Sequence, residues 1–176
     1  MTDRRTFLKN SSLLFAASTV PFSNFLIPGQ KKKLGVALVG LGYYSRDLLA
    51  PALQVTQHCE LKGIVTGSPE KIPAWQSKYG IEDHCVYNYQ NMHEIADNDA
   101  IDVVYIVLPN ALHKKYTILA ADAGKHVWCE KPMAMTESEC MAMIKACKKN
   151  KVQLTVGYRM QHEPVTQKII SWARSK

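Results

Sequence analysis

Leu34-Gly35-Val36-Ala37-Leu38-Val39-Gly40-Leu41-Gly42-Tyr43-Tyr44-Ser45 decides the fold of this 176-residue chain. A short apolar run of strand character leads into G-x-G-x-x-S, and helical sequence follows directly. Gly40 permits a tight turn after the strand. Gly42 lets the backbone approach a pyrophosphate held at the N-terminus of the helix, where unpaired N–H groups point outward. Ser45 stands where Gly or Ala is usual, a departure that still allows the helix to pack close to the strand. In isolation the pattern is a weak signal, and an ordinary Gly-rich turn is the plain alternative. At strand–turn–helix, in the first unit of an alternating chain, it reads as a dinucleotide-binding fingerprint.

The chain on either side supplies that alternation. Strand-like runs recur at Cys59–Val65, Val103–Leu108, His126–Cys129 and Gln153–Val156, each bounded by Gly, Pro or Asn. The continuously apolar ones suit a parallel sheet covered on both faces. Helical segments lie between them. Ser68-Pro69-Glu70 offers a cap, a first-turn Pro and a first-turn acid ahead of a helix ending at Tyr79-Gly80, with Pro73 disturbing its start. Ala111–Ala123 has helical spacing and stops at Gly124, a favourable residue just past a helix end. Thr136-Glu137-Ser138-Glu139 is a capping box opening a helix to about Asn150. The expected fold is therefore α/β, a doubly wound parallel sheet of the Rossmann type.

Three further segments carry chemistry. The second strand ends in Thr66-Gly67-Ser68 with Lys71 close behind, where an NAD site would place Asp or Glu for the ribose 2′-hydroxyl. Hydroxyls and an ammonium suit a 2′-phosphate, whereas a carboxylate would repel it, so NADP is expected, with NAD as the alternative. Leu108-Pro109-Asn110-Ala111-Leu112-His113 and Cys129-Glu130-Lys131-Pro132 each follow a strand, at the carboxyl edge where such sheets bind ligands. Lys131, next to Pro132 in a constrained turn, is placed to stabilise or protonate a substrate oxygen beside a nicotinamide. A cis Lys131-Pro132 bond would fix its direction.

Taken together, Gly40-Leu41-Gly42, L-P-N-x-x-H at 108–113, G-K-H-V-x-C-E-K-P-M-A at 124–134 and Gly157-Tyr158-Arg159 resemble the Gfo/Idh/MocA oxidoreductases. The likeness runs from about Lys33 to Pro164 and looks strongest to their exported glucose-fructose oxidoreductase branch. The resemblance implies hydride transfer with a small carbohydrate or polyol, and a second α/β domain missing from this sequence that would hold the sugar. It implies that Lys131 is the catalytic group and that Glu130 orients the ribose side. Leu108, Pro109, Asn110 and His113 would line the nicotinamide ribose. Arg159 and Tyr158 would sit near the nicotinamide end, Tyr158 reading equally well as a core residue. Leu41, Tyr43, Tyr44 and Ser45 would complete the pyrophosphate turn, and Tyr89 would join Thr66, Gly67, Ser68 and Lys71 on the NADP side. A homo-oligomer is expected of the full-length form. A nucleotide-binding module of the same fold that performs no chemistry is the competing expectation.

Composition bounds the rest. Residues 1–33 hold six Lys or Arg against Asp3 alone, leaving 16 basic and 14 acidic residues in the remainder, so most of the +7 net charge belongs to the leader. That argues against nucleic acid as a partner. Arg4-Arg5, a short interrupted apolar stretch from Leu13 to Ile27 and the absence of a spanning run read as a twin-arginine export signal over residues 1–30, hence a periplasmic or otherwise exported protein. The dinucleotide domain is expected at 31–160, and residues 161–176 read as the start of a truncated substrate domain, an amphipathic helix whose apolar face has no partner in the sequence. The five cysteines and six histidines lack metal-ligand spacing, so no metal is expected and the cysteines read as buried small hydrophobes.

Overall fold

The computed structural model describes residues 33–175, so the proposed leader at 1–30 lies outside the described residues. Strand β1 (Leu34–Val39) leaves Val36, Ala37, Leu38 and Val39 with no exposed surface, which requires cover on both faces. Five strands join it: β2 (Cys59–Val65), β3 (Val86–Tyr87), β4 (Val103–Ile106), β5 (His126–Cys129) and β6 (Leu154–Val156). Every pairing is parallel, and the spatial order is β3-β2-β1-β4-β5-β6. The direction of winding reverses between β1 and β4, which opens a crevice at their carboxyl ends. The expected doubly wound parallel sheet is what the chain forms.

Four helices cover the sheet, α1 (43–55), α2 (Ile72–Tyr79), α3 (Asn110–Asp122) and α4 (Glu137–Lys149), and a fifth, α5 (Pro164–Arg174), follows β6 with none of its residues buried. On one face Leu38 and Ile64 pack with Ala50 of α1 and Trp75 of α2. On the other, Ala37, Val39, Val104 and Val127 pack with Tyr116 and Ala120 of α3 and Met143 and Cys147 of α4. Each fully buried Val, Leu or Ile contributes about 1.5–3 kcal/mol relative to exposure. A slip of β1 by one residue would exchange the two sets of side chains, so the register is strongly specified.

Local chemistry explains where elements begin, bend and stop. Pro51 lacks an N–H and its ring would crowd the carbonyl four residues earlier, and α1 widens into a π-helical stretch at Ser45–Leu49 just before it. Gly80 and Gly124 take left-handed conformations, φ 67° and 73°, and end α2 and α3 as their placement suggested. The α4 box forms with one difference. Thr136 Oγ1 accepts from the Glu139 N–H at 3.3 Å, while Glu139 Oε2 accepts from Met135 N–H at 3.1 Å, one residue before the expected donor.

Three expectations need correction, and one strand was not foreseen. Ser68 does not cap α2; the Thr66 hydroxyl accepts the Ser68 N–H at 3.0 Å, and a 3-10 turn at Pro69–Lys71 precedes the helix. The strand expected at Val103–Leu108 stops at Ile106, because Val107 and Leu108 turn out over the crevice. The last strand begins at Leu154 rather than Gln153. β3, only two residues long, gave no periodic signal at all. Along α5, Val165, Ile169 and Trp172 are each more than half exposed.

Candidate active site

The candidate residues fall along the carboxyl edge of the sheet in the same spatial order as its strands. Tyr89 follows β3, Thr66 to Lys71 follow β2, Gly40 to Ser45 follow β1, Leu108 to His113 follow β4, Glu130 and Lys131 follow β5, and Tyr158 and Arg159 follow β6. Distant segments of sequence are thereby set side by side because the strands are parallel and every crossover returns to the opposite edge.

At the centre, Gly40 has φ +94°, and a Cβ there would lie 2.4 Å from the Val107 carbonyl oxygen. Only glycine fits that turn. A Cβ on Gly42 would meet nothing within 4 Å, so the backbone at Gly42 faces open space at the start of α1. The Ser45 hydroxyl, fully buried, donates to the Gly40 carbonyl and closes the turn from below. The unusual third position therefore locks the loop while still allowing close packing. Leu41 is buried in the core and presents its backbone rather than its side chain.

On the β2 side, the Lys71 ammonium reaches across to donate to the Leu41 carbonyl at 3.3 Å, which fixes it over the outer end of the Gly loop. The Thr66 side chain is buried, Gly67 is exposed, and the Tyr89 ring stands 3.0 Å from where a Gly67 Cβ would be. Hydroxyls, ammonium and phenol thus come from adjacent loops after β2 and β3.

On the β4–β5 side, a cleft of about 660 Å³ is lined by Gly42, Tyr43, Tyr44, Leu108, Glu130 and Lys131, with Tyr158 and Arg159 at its far end. Lys131 is exposed, precedes a cis bond to Pro132, and its ammonium makes no ion pair among the described residues. Glu130 is buried, and both its oxygens are held. Oε1 accepts from the Tyr105 hydroxyl at 2.6 Å and Oε2 from the Lys131 N–H at 3.3 Å. Burial first, then the bond to Glu130 and its negative charge, push the Tyr105 hydroxyl well above its ordinary range, so it remains a donor. The carboxylate thus braces the Lys131 peptide from within the protein.

Some expected contacts are absent from the cleft. His113 is fully buried, with its ring nitrogens on the carbonyls of Pro132 and Leu108, so its side chain does not line a ribose. Pro109 and Asn110 are exposed at the head of α3, next in sequence to the cleft residue Leu108 but not among the residues that line it. Tyr158 is half exposed at the cleft wall, which excludes the core reading. Sequence reasoning missed Tyr105, Val107 and Met160, and took Gly157 only as part of the Gly157-Tyr158-Arg159 motif without giving it a place in the site. Gly157 was legible in principle, since a Cβ there would press on Glu130 Oε1 at 3.1 Å and Tyr105 Oη at 3.2 Å. A larger, open hollow of about 820 Å³ around Asp83, His84, Glu94 and Asp97 contains none of the candidate residues. Among the described residues no group of three or more His, Cys, Asp or Glu is placed to hold a metal.

The arrangement fits a dinucleotide. Open space before a helix N-terminus, glycine where the backbone approaches, cation and hydroxyls at one end and a free ammonium at the other match its phosphates and its reactive ring. Known proteins agree. The chain is similar to the NADP-dependent D-xylose 1-dehydrogenase of Haloarcula marismortui, 33% identical over 75% of this chain and 36% of that protein. It is similar to the NADP-dependent scyllo-inositol 2-dehydrogenase of Bacillus subtilis, 33% identical over 67% of this chain and 34% of that one. Among solved structures, aldose-aldose oxidoreductase from Caulobacter crescentus superposes with a TM-score of 0.80 at 42% identity, covering 82% of this chain and 43% of that chain. The chain spans less than half the length of each of these relatives. Residues 34–158 match the family model described as an oxidoreductase family with an NAD-binding Rossmann fold, and the chain belongs to that family, the Gfo/Idh/MocA oxidoreductases.

Proposed function

We propose that this chain supplies the NADP(H)-binding half of an oxidoreductase that moves a hydride to or from a carbon of a sugar or polyol. The observation that carries it is the row of groups along one sheet edge, from Lys71 over the Gly loop to Lys131 in the cleft. Backbone N–H groups at Gly42 and Tyr43 bind the pyrophosphate. Lys71, with Thr66, Ser68 and Tyr89, binds the 2′-phosphate. Leu108, Tyr158 and Arg159 seat the nicotinamide end. Bound there, the nicotinamide supplies or takes the hydride. Lys131 holds the substrate oxygen and gives or receives its proton, and Glu130 with Tyr105 keeps the Lys131 peptide in place. The names of the xylose, inositol and aldose enzymes support a sugar or polyol, and the aldose enzyme supports a reading close to the glucose-fructose oxidoreductases.

The test is binding of NADPH and NADH to the chain, followed by nucleotide fluorescence. NADPH binds more tightly, and Lys71→Glu weakens it by about 10–100-fold, the loss of one charge-assisted contact, while NADH changes little. A folded protein that binds neither nucleotide refutes the reading. From Arg4-Arg5 and the apolar stretch behind them we also propose export by the twin-arginine route; a reporter fused to residues 1–30 would then stay inside the cell when both arginines become lysine.

A further inference from the structure

His113 sits where the family resemblance implied a ribose contact, yet its ring is wholly inside the protein. Nδ1 lies 2.9 Å from the Pro132 carbonyl oxygen and Nε2 lies 2.8 Å from the Leu108 carbonyl oxygen. Carbonyls only accept, so both bonds coexist on a ring carrying two protons, and a neutral ring makes one of them. The two acceptors belong to separate segments, the loop after β4 and the turn after β5. Leu108 itself and Lys131, the neighbour of Pro132, both line the cleft. A flat ring with nitrogens on opposite sides can hold two such loops at one separation, and few other side chains can.

We propose that His113 is a positioning residue that clasps the Leu108 loop to the Lys131-Pro132 turn and so sets where Lys131 stands in the cleft. It acts at the Pro132 carbonyl, while the Tyr105–Glu130 pair holds the same turn at the Lys131 N–H. The inference rests on the nucleotide-binding reading above.

His113→Met keeps much of the volume without a donor, and His113→Gln keeps one amide donor. The probes are NADPH, which reaches the cleft, and adenosine 2′,5′-bisphosphate, which carries the 2′-phosphate and no nicotinamide. His113→Met is expected to weaken NADPH by about tenfold and His113→Gln by about threefold, with the bisphosphate within about twofold of the parent in both. The nicotinamide emission of bound NADPH should shift towards that of free NADPH in His113→Met. Circular dichroism checks the fold; if His113→Met does not fold, the split between the two probes in His113→Gln decides. Unchanged NADPH affinity and emission, or equal weakening of both probes, overturns the inference while parental binding stands. A parent that binds neither probe overturns the nucleotide reading and this inference together.

Discussion

Substituting the two glycines of the loop separates stability from binding. Gly40 carries φ +94°, and a Cβ there would sit 2.4 Å from the Val107 carbonyl oxygen and 2.8 Å from Leu108 Cδ2. A left-handed backbone costs an L-residue about 1–2 kcal/mol, and forcing a methyl into a packed site adds about 1–3 kcal/mol. Gly40→Ala is therefore expected to lose about 3 kcal/mol, a fall in Tm of about 6–12 °C for a domain of this size. Gly42 meets nothing within 4 Å, so Gly42→Ala should leave stability within about 0.5 kcal/mol of the parent. The added methyl would instead occupy the space through which a pyrophosphate approaches, and NADPH affinity should fall by about tenfold or more. Thermal melts by circular dichroism and NADPH titration read the two quantities on the same samples. A Gly42→Ala protein that binds NADPH like the parent would refute the placement of the pyrophosphate on this loop.

Removing the Tyr105 hydroxyl leaves one oxygen of the buried Glu130 carboxylate without its donor. Tyr105→Phe should cost about 1–3 kcal/mol in thermal melts, and Glu130→Gln in the same background should recover part of it; a neutral Tyr105→Phe would mean that water replaces the hydroxyl. Glu139 is bonded to Lys114 at 3.0 Å and accepts the Met135 N–H, and these interactions hold its carboxyl below the usual range, the Lys114 bond contributing most. Because the folded value is the lower one, the stabilisation is present above the unfolded value of about 4.3 and is lost as pH falls through the folded value. Glu139→Gln should lower Tm at pH 7, with the difference from the parent shrinking as melts are taken below about pH 4. An equal difference at every pH would assign the effect to the cap alone.

What could be read from sequence was whatever depends on chain neighbours. The G-x-G turn, the capping box at Thr136, the stops at Gly80 and Gly124 and the turn at Glu130-Lys131-Pro132 are local chemistry, and the fold places each where spacing put it. Their common edge followed from parallel strands alone. What stayed hidden depends on partners from other strands. Tyr105 alternates with core residues along β4, and only its neighbour β5 turns it into a support for Glu130. His113 looked like a ligand contact because L-P-N-x-x-H resembles the family's motif. The first turn of α3 instead rotates it inward between two loops that sequence cannot show to be adjacent. Pro51 was in plain view, but the π-helical widening before it depends on how α1 meets the sheet.

Lys71 and Lys131 stand at opposite ends of the crevice, on loops that follow different strands, with the Gly loop between them. If the proposed roles hold, coenzyme preference and chemical step rest on separate loops, and mutation can revise either without rewriting the other. On that reading a lineage could exchange one nicotinamide coenzyme for another through drift at residues 66–71 while keeping the Lys131 turn unchanged. Such independence gives selection two dials where a single intertwined site would offer one.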